Sequence, residues 1–261
     1  MNNNVRRMLA ASVSVGALSA FPAAAAVVSG TGQVNTGADL NDTLTISIAG
    51  ETDLSGVTNT GATSESSVVS NVATGEILQT SNATLADAVA AIVNAGTATV
   101  QAVAHATNAA GSAAATAAIA GVAITQQVSA AGNATGNISN SGGLAIVADA
   151  KASGTTSASA GASLNGGISQ SISAGGATKI ANAKIANSGD LNIEANALST
   201  ATAGAASSGA SLNNGISQAA SAPAGAGISL DNGANGTLTV AENSQATGTT
   251  GASVSGSLIN G

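Results

Sequence analysis

The sequence has no cysteine, tryptophan or tyrosine, and its one phenylalanine, both methionines and both arginines fall within the first 21 residues. Without cysteine there is neither a disulfide framework nor a thiolate metal site, so the fold must hold without covalent staples. Beyond residue 26 the only lysines or arginines are Lys151, Lys179 and Lys184, set against twelve carboxylates, for a formal net charge of −9 with His105 counted neutral. Nucleic acid is excluded as a partner, because phosphate binding needs clustered Lys or Arg and base stacking needs aromatic faces. An anionic membrane surface would repel such a chain.

Hydrophobic residues make up 44% of the sequence, but most of them are alanine. Alanine buries little area, whereas an ordinary core relies on side chains worth about 1.5–3 kcal/mol each when buried. Either the interior is narrow enough for small residues to fill it, or parts of the chain are not folded at all.

Residues 1–26 have the three parts of a signal peptide. Arg6 and Arg7 form a positive n-region, Met8 to Phe21 an apolar stretch too short to span a bilayer, and Ala24 and Ala26 the small pair before a cleavage site after Ala26. No basic stop-transfer flank follows, so the mature chain is expected not to span the membrane. The Arg6-Arg7 pair alone carries little of a twin-arginine motif.

Internal repetition is the most informative feature. An aliphatic residue, Asn, a small residue and Gly recur in close order, giving turn positions Asn35 and Gly37, Asn59 and Gly61, Asn94 and Gly96, Asn140 and Gly142, Asn187 and Gly189, and more loosely Asn232 and Gly233. The Asn steps are 24, 35, 46, 47 and 45 residues, so the last three nearly agree. A second element, Gly161 to Gln170, returns as Gly209 to Gln218, and a fainter copy begins at Gly251-Ala252-Ser253. Two elements sharing one long period indicate a stacked array in which each unit covers its neighbour's apolar face.

Leu144-Ala145-Ile146, Leu191-Asn192-Ile193 and Leu238-Thr239-Val240 alternate as half-buried strands do, each after an Asn- and Gly-containing turn whose residues accept left-handed backbone. Alternating Ala and Ser/Thr runs follow, offering an alanine face and a hydroxyl face. Leu85 to Gln127 is read as strands in step with the later repeats, with a short helix over Thr84 to Val93 as the alternative. The expected fold is all-β, a right-handed parallel β-helix with an N-terminal part that is irregular or briefly helical. Its parts are a signal peptide at 1–26, an irregular cap or first rungs at 27–84, and the repetitive solenoid at 85–261.

The Ile-x-Asn-Ser-Gly-x-Leu-x-Ile units, alanine-rich strands and signal peptide resemble the passenger regions of bacterial autotransporter and filamentous-haemagglutinin-type surface proteins. That resemblance covers roughly Val34 to Gly261. It implies a right-handed β-helix with a little over twenty residues per turn, making the 24-residue step one rung and the longer period two. A C-terminal translocator barrel and the N-terminal secretion motifs of two-partner systems are not seen. The sequence stops inside a repeat, which suggests a fragment of a longer chain. The implied role is an exported stalk or adhesin-like surface protein without catalysis, whose partners are itself or host and cell-surface components. The alternatives are a self-assembling, amyloid-like extracellular fibre subunit, although Gln-rich ladders are not evident, and an ice-binding solenoid suggested by Thr43/Thr45, Thr97/Thr99 and Thr237/Thr239.

No catalytic, cofactor or metal site is expected. His105 is the only histidine, and no Ser-His-Asp constellation surrounds it in the sequence. The acid pairs Asp39/Asp42, Glu51/Asp53 and Asp190/Glu194 lack the Gly-rich Asp spacing of calcium-binding solenoids and read as solvated charges. Gly161 to Gly167 lacks the Lys of a phosphate cradle. The sequons at Asn41, Asn82, Asn133, Asn137 and Asn235 are expected from composition alone.

Overall fold

A computed structural model describes residues 33–37, 42–48, 51–53, 58–60, 67–72, 77–83 and 87–259, with side chains at 77–83 and 87–256. The described residues form only β-strands and connections, and every strand pairing is parallel. The signal peptide, Asp39, Asn41, Gly61 and Thr84 to Ala86 lie outside them.

One turn of the coil is built from three strands. In the middle turn these are Ala134–Asn140, Gly143–Gly154 and Ser157–Ala174. Each stacks in register on its counterpart one turn before and one turn after, giving a short, an intermediate and a broad sheet. The short and intermediate strands lie end to end and face the broad strand across a thin interior, so the molecule is a flattened coil with a two-layer wall.

This architecture follows from the alternation in the sequence. Inward positions are mostly Ala, Ile, Leu or Val, and outward positions are mostly small, hydroxylated or otherwise polar residues, as a period of two requires. Alanine columns such as Ala102–Ala148–Ala195 and Ala117–Ala162–Ala210 fill the narrow parts. The interior widens where the large side chains stack, in columns Val100–Ile146–Ile193 and Ile119–Leu164–Leu212. The broad strand bends there through a register shift between Leu164 and Gly166.

The length of one turn corrects the expectation drawn from the family resemblance. Asn94, Asn140, Asn187 and Asn232 are direct neighbours in the short sheet, so the whole period of 46, 47 and 45 residues is one rung, not two. Strand pairing also runs back before residue 85. Asp42–Ile48 pairs with Ala88–Asn94, Glu51–Asp53 and Thr58–Thr60 pair with Thr97–Asn108, and Ser67–Val72 pairs with Ser112–Ala130. The described parts of 27–84 are thus first rungs of the same coil. The helical alternative fails where it can be seen, because Ala88–Asn94 is a strand. Gly251-Ala252-Ser253 is in register with Ala205-Ala206-Ser207, not with the start of the second repeat element at Gly209.

Strand spacing fixes the proportions. A broad strand of 19 residues extends about 60 Å, whereas five rungs rise only about 24 Å along the coil axis. The described body is a slab, wider across the axis than it is tall.

Candidate functional site

The side chains that distinguish one rung from a generic Ala/Ser strand are two columns of buried amides. The first holds the predicted Asn positions. The Asn94 side chain donates to Asn140 Oδ1, Asn140 to Asn187 Oδ1 and Asn187 to Asn232 Oδ1, each at 2.7 Å. The same amide nitrogens donate to the carbonyls of Gly143, Asp190 and Thr237 at 2.9, 3.0 and 2.7 Å, which ties the short sheet to the intermediate one. Asn94, Asn140 and Asn187 are all buried. A polar group this enclosed is tolerable only when its hydrogen bonds are made, and the one-per-rung spacing makes them. The column stops at Asn94: register sets Ile48 beneath it, and among the described residues Asn94 Oδ1 has no hydrogen-bond partner.

Turn geometry is not why these residues recur. Among the described residues the only non-glycine with positive φ is Asn214, and the only such glycine is Gly225, so neither the column Asn nor its Gly is left-handed. Asn is required by the amide ladder. Gly is required by the closeness of stacked backbones: a Cβ on Gly142 would lie 1.9 Å from the Gly96 carbonyl oxygen, and one on Gly189 would lie 2.1 Å from that of Gly142. In the last rung Gly236, 2.6 Å from the Asn187 oxygen by the same measure, takes that role instead of Gly233. Asn35 and Asn59 do not belong to the column. Asn35 stands opposite Ser81 on the broad sheet, in the strand that also holds Gly37, and Asn59 opposite Ala104 on the intermediate sheet.

The second column was not read from the sequence. Gln126 donates to Gln79 Oε1 and Gln170 to Gln126 Oε1, both at 2.6 Å, and Gln218 donates to Gln170 Oε1 at 2.8 Å. These nitrogens also reach across the interior to short-sheet carbonyls: Gln79 to Ala91 at 2.9 Å, and Gln126 to Ala90, Gln170 to Lys184 and Gln218 to Ser229, each at 3.2 Å. Register extends the column to Gln33, opposite Gln79. The glutamine ladder missing from the sequence reading is therefore present, inside the coil. It could have been found from the spacing of Gln33, Gln79, Gln126, Gln170 and Gln218, at steps of 46, 47, 44 and 48 residues.

The surface groups are engaged locally. His105 hydrogen-bonds Asp149 at 2.9 Å, Lys151 reaches the same carboxylate at 2.9 Å, and no serine hydroxyl among the described residues bonds the imidazole. Asp190 accepts from the Thr237 hydroxyl at 2.6 Å and Glu194 from the Asn196 amide at 3.1 Å. Among the described residues no three His, Asp or Glu side chains come together as a metal site. The Thr-x-Thr pairs make no array: Thr97 stacks beside Gly143, Asp190 and Thr237, while Thr43 and Thr45 lie on a different sheet.

Asp87 joins the second and third rungs by accepting from the Asn133 backbone N–H at 2.6 Å and its side-chain amide at 3.3 Å. The backbone bond, then the side-chain bond, then the charge of Lys179 hold its carboxyl below the ordinary aspartate range. A depressed carboxylate stabilises the fold above its unfolded pKa, and that contribution disappears as pH falls through the folded value. Asp87→Asn is expected to remove a small part of the acid-side loss in a stability–pH profile, leaving the neutral-to-alkaline profile parallel to that of the parent.

Parallel strands stacked on one long period, with ladders along the axis, define the class: a parallel β-solenoid. No family model matches the chain, and neither does any curated protein or solved structure.

Proposed function

We propose that the chain is an exported structural protein of the cell surface, adhesin-like or stalk-like, whose coil displays its outer faces and whose work is mechanical and adhesive. The observation that supports it best is where the sequence's specificity goes. The recurring residues Asn94, Asn140, Asn187 and Gln79, Gln126, Gln170 point inward and fasten rung to rung, and the outward positions are small and hydroxylated. Such a coil keeps its backbone bonded within sheets and its ladder amides bonded from rung to rung, which suits exposure to proteases outside the cell. The leader at residues 1–26 supports export and the −9 charge of the remainder supports solubility there.

Expression in a Gram-negative bacterium tests this. The exported form should begin at Val27 by N-terminal sequencing and be labelled on intact cells by a membrane-impermeant amine reagent at Lys151 or Lys184. Recovery from the cytoplasm with Met1 to Ala26 intact would contradict it.

A further inference from the structure

We propose that two copies of this chain pair face to face through the outer surface of the broad sheet, forming a closed dimer with the charged walls outermost. This goes beyond the surface role and does not depend on export.

The first argument is where charge is missing. No Lys, Arg, His, Asp or Glu falls in any of the eight described strands of the broad sheet. Every ionisable residue found in a described strand, from Asp42 to Glu242, lies on the short or the intermediate sheet. Chains that carry −9 beyond residue 26 repel one another through their charged surfaces. The broad face is the wall through which two of them can meet without setting like charges together. A contact centre depleted of charge is also what separates an interface from ordinary surface.

The second argument is shape. Outward positions along residues 112–118, 157–163 and 205–211 are Ser, Ala, Gly and Thr throughout, so this part of the face is nearly flat. Gly161 and Gly209 stack in adjacent rungs and open a shallow groove between the row of Ser159 and Ser207 and the row of Ser163 and Ser211. A second copy related by a two-fold axis sets its own serine row in this groove and receives the first copy's row in return. The rows of both copies repeat at the same strand spacing of about 4.8 Å, so a match at one rung continues at the next. Hydroxyls both donate and accept, which lets facing serines keep hydrogen bonds on burial.

The third argument is area. A broad strand of about 60 Å and five rungs of about 24 Å give each copy a face of about 1,400 Å². Contact over half of that face buries about 1,400 Å² in the pair, inside the range of about 1,200–2,000 Å² typical of stable interfaces. Ala and Gly lose no side-chain freedom on burial, and Ser has only one short side chain to fix, so little entropy opposes the contact.

Sedimentation velocity of the purified 261-residue chain, from micromolar to millimolar, tests the proposal. Mass should rise to twice that of the chain and stop there, because each copy has one broad face. The pair Ser207→Lys and Ser211→Lys should weaken association at least about tenfold with unchanged β circular dichroism. Ser159→Lys with Ser163→Lys, on the preceding rung, should do the same. The pair Gln245→Lys and Thr247→Lys, exposed on the opposite wall, adds the same charge and should not weaken it. All three pairs lower the chain's negative charge, so general repulsion falls in each, and only a charge placed on the contact face can oppose pairing. Monomers throughout this range would overturn the proposal. So would growth beyond the dimer, or association that the broad-face pairs weaken no more than the opposite-wall pair does. Failure of surface labelling with pairing intact would count against the surface role alone.

Discussion

Gln126→Glu is expected to lower stability at neutral pH by about 3–5 kcal/mol, the cost of leaving a buried charge without its counterpart. The wild-type nitrogen donates to Gln79 Oε1 at 2.6 Å and to the Ala90 and Asn137 carbonyls at 3.2 Å, so the substitution sets an anionic oxygen among three acceptors. The other oxygen still accepts from Gln170, which confines the damage to one side of the ladder. Thermal melts should show a fall of roughly 10 °C, taking about 2–4 °C per kcal/mol for a chain of this size. Burial among acceptors raises the carboxyl's folded pKa, so the deficit should shrink on acidification, when a neutral carboxylic acid can donate again. The neighbouring Gln127 is exposed and provides the control: Gln127→Glu should change stability by less than about 0.5 kcal/mol. Equal effects at the two positions would remove the internal ladder from the account.

Gly142→Ala is the second large expectation. Its new methyl would sit 1.9 Å from the Gly96 carbonyl oxygen and 2.9 Å from the Ala95 carbonyl carbon, both backbone atoms of the rung below. Neither can rotate away, so two rungs must separate locally, at or above the upper end of the about 1–3 kcal/mol usual for overpacking. Gly161→Ala, where nothing lies within 4 Å of the added Cβ, should be neutral or slightly stabilising. Denaturant midpoints of the two variants distinguish a glycine held by close stacking from one that is merely present in a glycine-rich sequence.

These two positions show what could be read from the sequence. The period was visible because Asn94, Asn140, Asn187 and their glycines keep nearly constant spacing, and the strands because Leu144, Ile146, Leu191 and Ile193 alternate with polar neighbours. The number of rungs per period was not visible. Asn35 and Asn59 fall by chance at a step close to half the period, on different sheets, and only pairing reveals that they share no column with Asn94. The glutamine column escaped notice because its members have unlike neighbours, Leu78 and Thr80 around Gln79 but Ser169 and Ser171 around Gln170. Its function depends on what faces it across the interior, which a local motif does not encode. The role of Gly was misread for a related reason. A tight turn and a close interstrand approach both select glycine, and the described backbone shows the second.

The slab shape also changes the functional picture. A coil of half the turn length would have given a slender rod, whereas five wide rungs give about 24 Å of height. Reach along the axis then comes only from adding rungs.

The central claim is that one turn takes the full repeat, and the absence of cysteine makes a crosslink its most direct test. Ser159 and Ser207 are outward, exposed and directly opposite one another in adjacent rungs, where parallel neighbours lie about 4.8 Å apart, within disulfide reach. The double variant Ser159→Cys with Ser207→Cys should oxidise to an intramolecular disulfide, detected by mass and by a mobility shift lost on reduction. Ser159→Cys with Asn182→Cys, half a period away on a different sheet, should not. Crosslinking of the second pair and not the first would mean a turn of half the length, and would contradict the account.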